Sequence, residues 1–539
     1  MKKIIQNILL LIFTVNLIAC VPDMDLNNPE QVSVDTYYLN EEQLEAAIIP
    51  IYQSLFGVCQ GGYAVGAFNN LLAPGDDFDA TPSQTIFQDT YTTPAYDGTI
   101  LNAWKDFYSG VYASNLAIEK ITSFSGNISE DVKKRMLGEA YFLRGLHYMH
   151  LCLMFGETIP LIDHTAQSSD DYYSGNSKPG EIYKLIINDF KQASELLPLR
   201  SVLYKNADNI GRATKGSALA YLARAYMYRP ILEKGQTAEF ANAEEILKGI
   251  IDSREYSLVD NFRANSMGGE HENNAESIFE LQLLLGADFF EQSYSLRWQM
   301  IGLPTGTGNG WWNIAPNEKT LNEFEEGDPR KYMSLWCPDG AHYTDMSGNV
   351  IDWDQMYANL PTKTKLYGTR KYCLDYQIGN IANENNERLM RYADVLLMYA
   401  ECLSEAGKDN LSIDNPDGPK YWIQKVRSRA NNVVPSEQPH LWYQHSPGTI
   451  PNVDELLNSG ISINGIPMNN IKNIIAHERY VEFFGEYLRY FDLLRWGMAD
   501  NKWLSSIKEL GWTERAMYYP FPQQELNNNK NLVGNDMNY

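Results

Sequence analysis

Apolar residues recur along this chain in steps of three and four. Between Glu41 and Val58 they fall at Leu44, Ile48, Ile51, Tyr52 and Leu55, a spacing that predicts an amphipathic helix. The same period returns over 99–123, at Leu101, Trp104, Phe107, Tyr108, Val111, Leu116 and Ile118, and again over 130–155. A helix is predicted at 180–197, stopping before Pro198 because the residue ahead of a proline is driven out of helical backbone. Others are predicted at 213–228 and 240–252. In the first of these, Ala218, Ala220, Ala223 and Ala225 stand among Leu and Tyr, and small side chains let helices approach closely.

Successive helices of this kind read as an array of helical hairpins, similar to tetratricopeptide repeats but without their fixed 34-residue period. The periodicity lapses twice. Residues 59–97 carry Gly, Asn, Pro, Thr and aromatics in no sustained pattern, and loops of that length in a compact domain tend to be functional. Residues 257–387 hold one strand-like run, Ser277–Leu285, among turn-rich stretches. Helices are predicted again at 388–406, 417–431 and 470–497, and the tail 511–539 reads as loop. The expected fold is therefore mostly α, a tetratricopeptide-like hairpin scaffold with a loop-rich, irregular ligand-binding lobe. Its expected parts are a helical region 41–256, the irregular lobe 257–387 and a second helical region 388–539.

The first forty residues are different. Met1-Lys2-Lys3 precedes a nearly continuous apolar run from Ile4 to Ala19, the pattern of an export signal occupying 1–19. Leu17-Ile18-Ala19-Cys20 resembles the lipobox of bacterial lipoproteins, in which the cysteine is acylated. Cys20 is thus the expected lipidation site, followed by a polar tether to residue 40. No later stretch approaches the ~20 apolar residues that a spanning helix needs.

The composition narrows the partners. With 68 acidic against 44 basic residues the formal charge is −24, which disfavours nucleic acid, whose phosphates need clustered Lys and Arg. Cys152 and Cys402 fall in helical patterns as buried thiols, while a Cys337–Cys373 pairing is left open and no spacing fits a zinc site. Aromatic residues are abundant: 35 Tyr, 20 Phe and 11 Trp. Most belong to a large core, and an exposed remainder would suit stacking on flat, amphipathic ligands such as sugar rings.

Three segments near the end carry a pattern of their own: RLMRYADVLLMYAECLSEAG (388–407), HERYVEFFGEYLRYFDLLRWG (477–497) and YPFPQQEL (519–526). In this order they resemble the hallmarks of the SusD/RagB family of outer-membrane nutrient-binding lipoproteins. Gly75-Asp76-Asp77, the Trp104–Asn115 helix and Gly327-Asp328-Pro329-Arg330 fit as well. One departure is Gly485-Glu486-Tyr487, where the family usually places an acidic residue and Gly directly before the Arg. Arg391 and Asp394 are spaced to pair at i,i+3. Glu478, Arg479, Arg489, Asp492 and Arg495 recur at helical spacing and are expected to form buried or half-buried pairs that rigidify a scaffold.

Nothing in the chain reads as catalytic. His477-Glu478 lacks the second His of a metalloprotease helix, and Gly302–Gly310 lacks the Lys-Ser/Thr ending of a phosphate loop. No cofactor is expected; calcium is not indicated, since no twelve-residue Asp-x-Asp loop is present. The resemblance implies a non-catalytic cell-surface protein that captures oligo- or polysaccharide and passes it to a TonB-dependent, SusC-like transporter. It also implies a lipid anchor in the outer membrane facing outward, with Asp23 and Asp25 as the acidic context for that destination. Peptide capture, as in the RagB branch, is the alternative, and a lipid-anchored glycoside hydrolase a more remote one. Two loops have the chemistry of a glycan face: 61–97, with Tyr63, Asn69, Asn70, Asp76, Asp77, Phe78, Tyr91 and Tyr96, and 294–313, with Tyr294, Trp298, Asn309, Trp311, Trp312 and Asn313. The leading ligand contacts are Tyr96, Trp311 and Trp312, followed by Trp298, Asn309 and Tyr63. Asp76 and Asp77 are expected to cap or turn their loop instead.

Overall fold

The structure, a computed structural model, describes residues 38–60, 67–80, 86–283, 313–336, 342–344, 350–352, 367–371, 385–431 and 450–535. The periodic segments form helices close to where the spacing puts them: α1 (Glu41–Gln60), α2 (Gly98–Ser123), α3 (Glu130–Phe155), α4 (Glu181–Leu196), α5 (Lys215–Met227) and α6 (Phe240–Ser253). Asp97 caps α2 by accepting from the Thr99 amide at 2.7 Å, and Ser129 caps α3 through the Val132 amide at 3.2 Å. Each helix packs on the next, α1 on α2 and so on to α6, which packs on α7 (Tyr392–Glu405). From α7 the chain goes on to α8 (Pro419–Ala430) and α9 (Ile471–Phe483), both of which pack on it. This is the expected helical-hairpin scaffold, held by one continuous apolar core. Gly110 lets α2 pack closely on α3: a Cβ there would lie 2.1 Å from Nε2 of the buried His147.

Three sequence-based boundaries need correction. The helix predicted from 388 begins only at Tyr392, because Glu387–Arg391 is extended and pairs antiparallel with Ser277–Leu281. These strands tie the irregular lobe to the C-terminal region across a fully buried face. The helix predicted over 470–497 is two, α9 and α10 (Arg489–Ala499), broken where Gly485 and Tyr487 take φ of 71° and 65°. The tail is not all loop: α11 (Gln523–Asn528) closes against the start of α2.

The break between α9 and α10 has a purpose visible in the charges. Arg391 reaches over it to Glu486 through two 2.8 Å bonds, and also meets Glu276 and Glu482. It does not pair with Asp394, as the i,i+3 spacing suggested. Asp394 instead takes Arg224 and, at 2.5 Å, Arg479. The strand conformation of Arg391 explains the difference, since helical spacing no longer applies to it. The displaced Gly485-Glu486 pair thus places a carboxylate between two helices where Arg391 and Lys371 can both use it.

Around α9 the chain buries a network of charges. Arg330, fully buried, is held by Asp328, Glu478 and Glu482; Arg427 by Glu325 and Glu478; Arg429 by Glu276 and Glu482. On the other side Arg479 and Arg495 share Asp492, and Arg495 also grips Glu401 at 2.5 and 2.8 Å. Buried charges are tolerated only when paired and hydrogen-bonded in this way. The charged motifs at 477–497 therefore build the scaffold, as their helical spacing led us to expect.

His477 adds a pH dependence. Its imidazole is buried between Glu323, at 3.1 Å, and Glu325, at 3.0 Å. Burial alone would lower its pKa, but the two carboxylates outweigh that and raise it to about 9. The folded-state value lies above the ordinary 6.5, so the stabilisation is complete below pH 6.5 and is lost as pH rises through 9. At full strength it is roughly 3 kcal/mol, at 1.36 kcal/mol per pKa unit. Lys371, which burial lowers to about 8, opposes the loss above that pH, so the fall should be steepest from 6.5 to 8. Urea midpoints measured across this window should drop in the wild type and much less in His477→Gln; equal slopes in the two would sink the assignment.

Candidate functional site

The two aromatic loops are joined at their described ends. Strand Phe78–Ala80 pairs antiparallel with strand Ile314–Pro316, in the register Phe78 with Pro316, Asp79 with Ala315 and Ala80 with Ile314. Ala80, the last residue of the first strand, therefore lies opposite Ile314, the first of the second. Both strands are short, and what fixes them lies below. Phe78 is fully buried and stacks on Phe484 at 4.9 Å, so this aromatic belongs to the core and not to a ligand face. Asn317 caps the helix that follows the second strand and donates to Asp79 Oδ1 at 3.0 Å and to the Asp76 carbonyl at 3.3 Å. Thr320 donates to the Asp77 carbonyl at 2.7 Å. The residues that follow the second strand thus pin the Asp76–Asp79 turn.

Asp76 and Asp77 lie in the turn that leads into the Phe78–Ala80 strand, and both are buried. Asp76 is buried and takes Arg489 through bonds of 2.6 and 2.9 Å, Lys319, and the Ser506 hydroxyl at 2.6 Å. Burial pushes its carboxyl up, but Arg489 and Lys319 outweigh burial and hold it well below the usual carboxylate range. Asp77 has no such partner for Oδ1, which is buried and unsatisfied among the described residues. Burial first, and the Asp76 charge second, raise it to about 7. One carboxyl is thereby kept ionised and its neighbour largely neutral below pH 7.

Farther along the first loop, the Tyr91 hydroxyl donates to the Pro74 carbonyl at 2.7 Å and closes the loop on itself. Asn70 is buried and accepts from the Thr99 hydroxyl, which removes it from any surface. Tyr96 is the predicted contact that can be placed. It stands just before the cap of α2, 78 % exposed, while the neighbouring Ala95 carbonyl accepts from the Gln523 amide at 2.8 Å. Its ring projects from backbone that is firmly tied down. Tyr63, Trp298, Asn309, Trp311, Trp312 and the anchor Cys20 lie outside the described residues, as do Cys337 and Cys373. Cys152 and Cys402 are buried free thiols, as their helical positions implied.

A second concave surface was not anticipated. Between α2, the 160–174 segment and α11 lies a groove of ≈ 360 Å³, around which Tyr112, Tyr172 and Tyr173 are 50 %, 71 % and 49 % exposed. Its signal in the sequence was the pair Tyr172-Tyr173 within a polar loop, the same kind of signal as Trp311-Trp312. Among the described residues no group of three or more His, Cys, Asp or Glu could hold a metal, and no helix is long and apolar enough to cross a membrane.

Comparison with known proteins gives a consistent picture. The family model described as the SusD family matches residues 275–539, and one described as starch-binding associating with outer membrane matches 76–227. A SusD-like protein of Formosa agariphila is 26 % identical over 566 residues, covering all of both chains. The starch-binding protein SusD of Bacteroides thetaiotaomicron is 25 % identical over 454 residues, 75 % of this chain and 72 % of that one. The crystal structure of a SusD superfamily protein from Bacteroides vulgatus shares the fold with a TM-score of 0.71 at 24 % identity, covering 93 % of this chain and all of that one. With its helical-hairpin scaffold, its buried C-terminal charge network and these matches, the chain belongs to the SusD family.

Proposed function

We propose that this protein is a non-catalytic glycan-binding lipoprotein, whose ligand face is formed by the two loops that the Phe78–Ala80 and Ile314–Pro316 strands join. That ladder is the observation that carries the reading. It pairs a strand of the first aromatic segment with the strand that directly follows the second, on a base made rigid by Asp76 and Arg489, which supports a shared ligand face. Aromatic faces bury the CH-rich side of a sugar ring, and amides take its hydroxyls. The naming of a related protein as starch-binding, and of a matching family model in the same terms, supports the class of ligand. The leader over residues 1–19, followed directly by Cys20, supports attachment to the outer membrane by a lipid. Such an anchor would keep the protein beside a TonB-dependent, SusC-like channel, to which it would pass its cargo, by raising the effective concentration of each for the other.

The test is electrophoresis of the purified chain through native gels containing α-glucan, β-glucan, xylan or mannan. At least one polysaccharide should retard the protein, and Trp311→Ala with Trp312→Ala should weaken retention by at least tenfold, about 1.4 kcal/mol. Release of reducing sugar would overturn the binding-only reading. Retention by peptides with none by any glycan would favour the RagB-like alternative, and an unchanged double variant would move the site off these loops.

A further inference from the structure

The lining of the tyrosine-rich groove includes no residue of the two paired strands. Tyr112 is the fifteenth residue of α2, roughly 20 Å along the helix axis from the first, Gly98, at 1.5 Å per residue. The groove is built and not merely open. Its floor is Trp104, buried and in contact with Tyr108 at 5.0 Å, whose hydroxyl is fixed by the Pro160 carbonyl at 2.8 Å. Its far wall is a turn, Ser169–Tyr173, in which Asp171 accepts from the Gln167 and Ser168 amides at 2.7 and 2.9 Å.

The Asn-rich tail then fastens that turn. Asn529 donates to the Ser174 carbonyl at 2.7 Å and Asn531 to the Tyr173 carbonyl at 2.8 Å. Asn176 and Val533 exchange two more bonds, at 2.9 and 2.8 Å. The backbone under Tyr172 and Tyr173 is therefore held in place before any ligand arrives, which reduces the ordering cost of binding.

What this rigid frame presents is unoccupied chemistry. The hydroxyls of Tyr112, Tyr172 and Tyr173, the Asn528 amide and the Glu525 carboxylate line or rim the groove, and none has a hydrogen-bond partner among the described residues. Three large rings exposed around one concavity, with free amide and carboxylate groups between them, match the needs of a ligand that has flat apolar faces and hydroxyl edges. The volume of ≈ 360 Å³ falls within the ~300–1,000 Å³ of small-molecule sites. Among the charged side chains His164 is paired with Asp163 at 2.9 Å, and Lys105 stands against Asp171 and Glu525, which leaves an excess of negative charge and disfavours uronate or sulfated chains.

We propose that this groove is a second carbohydrate-binding site, selective for a neutral oligosaccharide and separate from the face at the joined loops. It rests on the glycan-binding reading but makes its own prediction. Hydrogen exchange of the purified full chain would be followed with maltohexaose, laminarihexaose, xylohexaose and mannohexaose. At least one should protect peptides spanning 166–175 and 523–532, and this protection should survive in Trp311→Ala/Trp312→Ala. In Tyr172→Ala/Tyr173→Ala it should be lost, with the affinity of this site at least about tenfold weaker; Asn528→Ala, which removes only an unpartnered amide, should weaken it in the same direction. Both sets change exposed side chains, and an unchanged melting temperature will confirm that the variants are folded. Protection confined to peptides of the joined loops would overturn the second site and leave the main reading intact. Binding of no sugar at all would overturn both, and protection by a uronate or sulfated chain in place of the neutral ones would overturn the selectivity.

Discussion

Replacing Glu482 with alanine is expected to lower the unfolding free energy by at least about 3 kcal/mol, the lower end of the usual cost of breaking a buried ion pair. The side chain is fully buried and accepts from three guanidinium groups: Arg330 and Arg391, at 3.2 and 3.1 Å, and Arg429. Truncation leaves those donors facing a cavity from which water is excluded. Arg429 suffers most, because Glu276 is then its one remaining carboxylate among the described residues. The effect reaches beyond α9, since Arg391 sits in the strand that joins the irregular lobe to the helices and Arg330 in the lobe itself. Glu482→Gln keeps the shape and one acceptor and should cost less. Burial pushes the Glu482 carboxyl up, but the surrounding arginines outweigh it and lower it to about 2. The contribution is therefore complete above pH 4.5, the ordinary value, and fades as pH falls toward 2. Urea denaturation followed by tryptophan fluorescence measures the difference. A loss below about 1 kcal/mol at pH 7 would mean that the arginines reach solvent or other partners.

The second large effect is expected at Asp76. Alanine there removes the one carboxylate among the described residues that pairs with Arg489 and Lys319, and frees the Ser506 hydroxyl. A stability loss of about 3 kcal/mol follows from the uncompensated buried charges. Two further consequences separate this site from a general scaffold defect. Glycan retention should weaken, because the turn that presents strand Phe78–Ala80 loses its anchor while the hairpin array does not. The Asp77 carboxyl, raised to about 7 partly by the Asp76 charge, should titrate lower in Asp76→Asn, which removes that charge but keeps the shape. Carboxyl-carbon NMR reads the titration directly. Wild-type retention and an unmoved Asp77 in a destabilised variant would confine Asp76 to a structural role.

Asp77 itself works on the same part of the molecule through pH. Its folded-state value is raised above the ordinary 3.8, so folding is favoured while the group is neutral and loses that advantage as pH rises from 3.8 through 7. The two buried groups thus lower stability in succession as pH rises, Asp77 from 3.8 to 7 and His477 from 6.5 to 9, with Lys371 opposing the fall above 8. Their contributions are separable by His477→Gln.

Local chemistry was enough to locate most of the helices. Side chains three and four apart share a helix face wherever the helix lies, so α1 to α6 were legible from spacing, and Pro198 marked its boundary because a proline restricts the residue before it. The ordered motifs near the end were legible for the same reason: Glu478 and Arg479 lie within α9, and Arg489, Asp492 and Arg495 keep helical spacing within α10. What spacing could not decide was the partner of each charge. Arg391 read as helical and paired with Asp394, whereas strand pairing with Ser277–Leu281, far away in sequence, took it out of the helix and gave it to Glu482 and Glu486. Likewise Phe78 read as a loop aromatic until Phe484 covered it.

The sequence by itself determined the hairpin scaffold and which two loops carry aromatic and amide groups, because each of these depends on residues close together in the chain. Only the tertiary structure decided that those loops share a ladder, that Asp76 and not Asp77 is the ionised anchor, and that Tyr112 meets Tyr172 and Tyr173 around one groove. Each of those facts depends on long-range contacts and on the burial they create, and burial sets both which rings stay exposed and which charges survive.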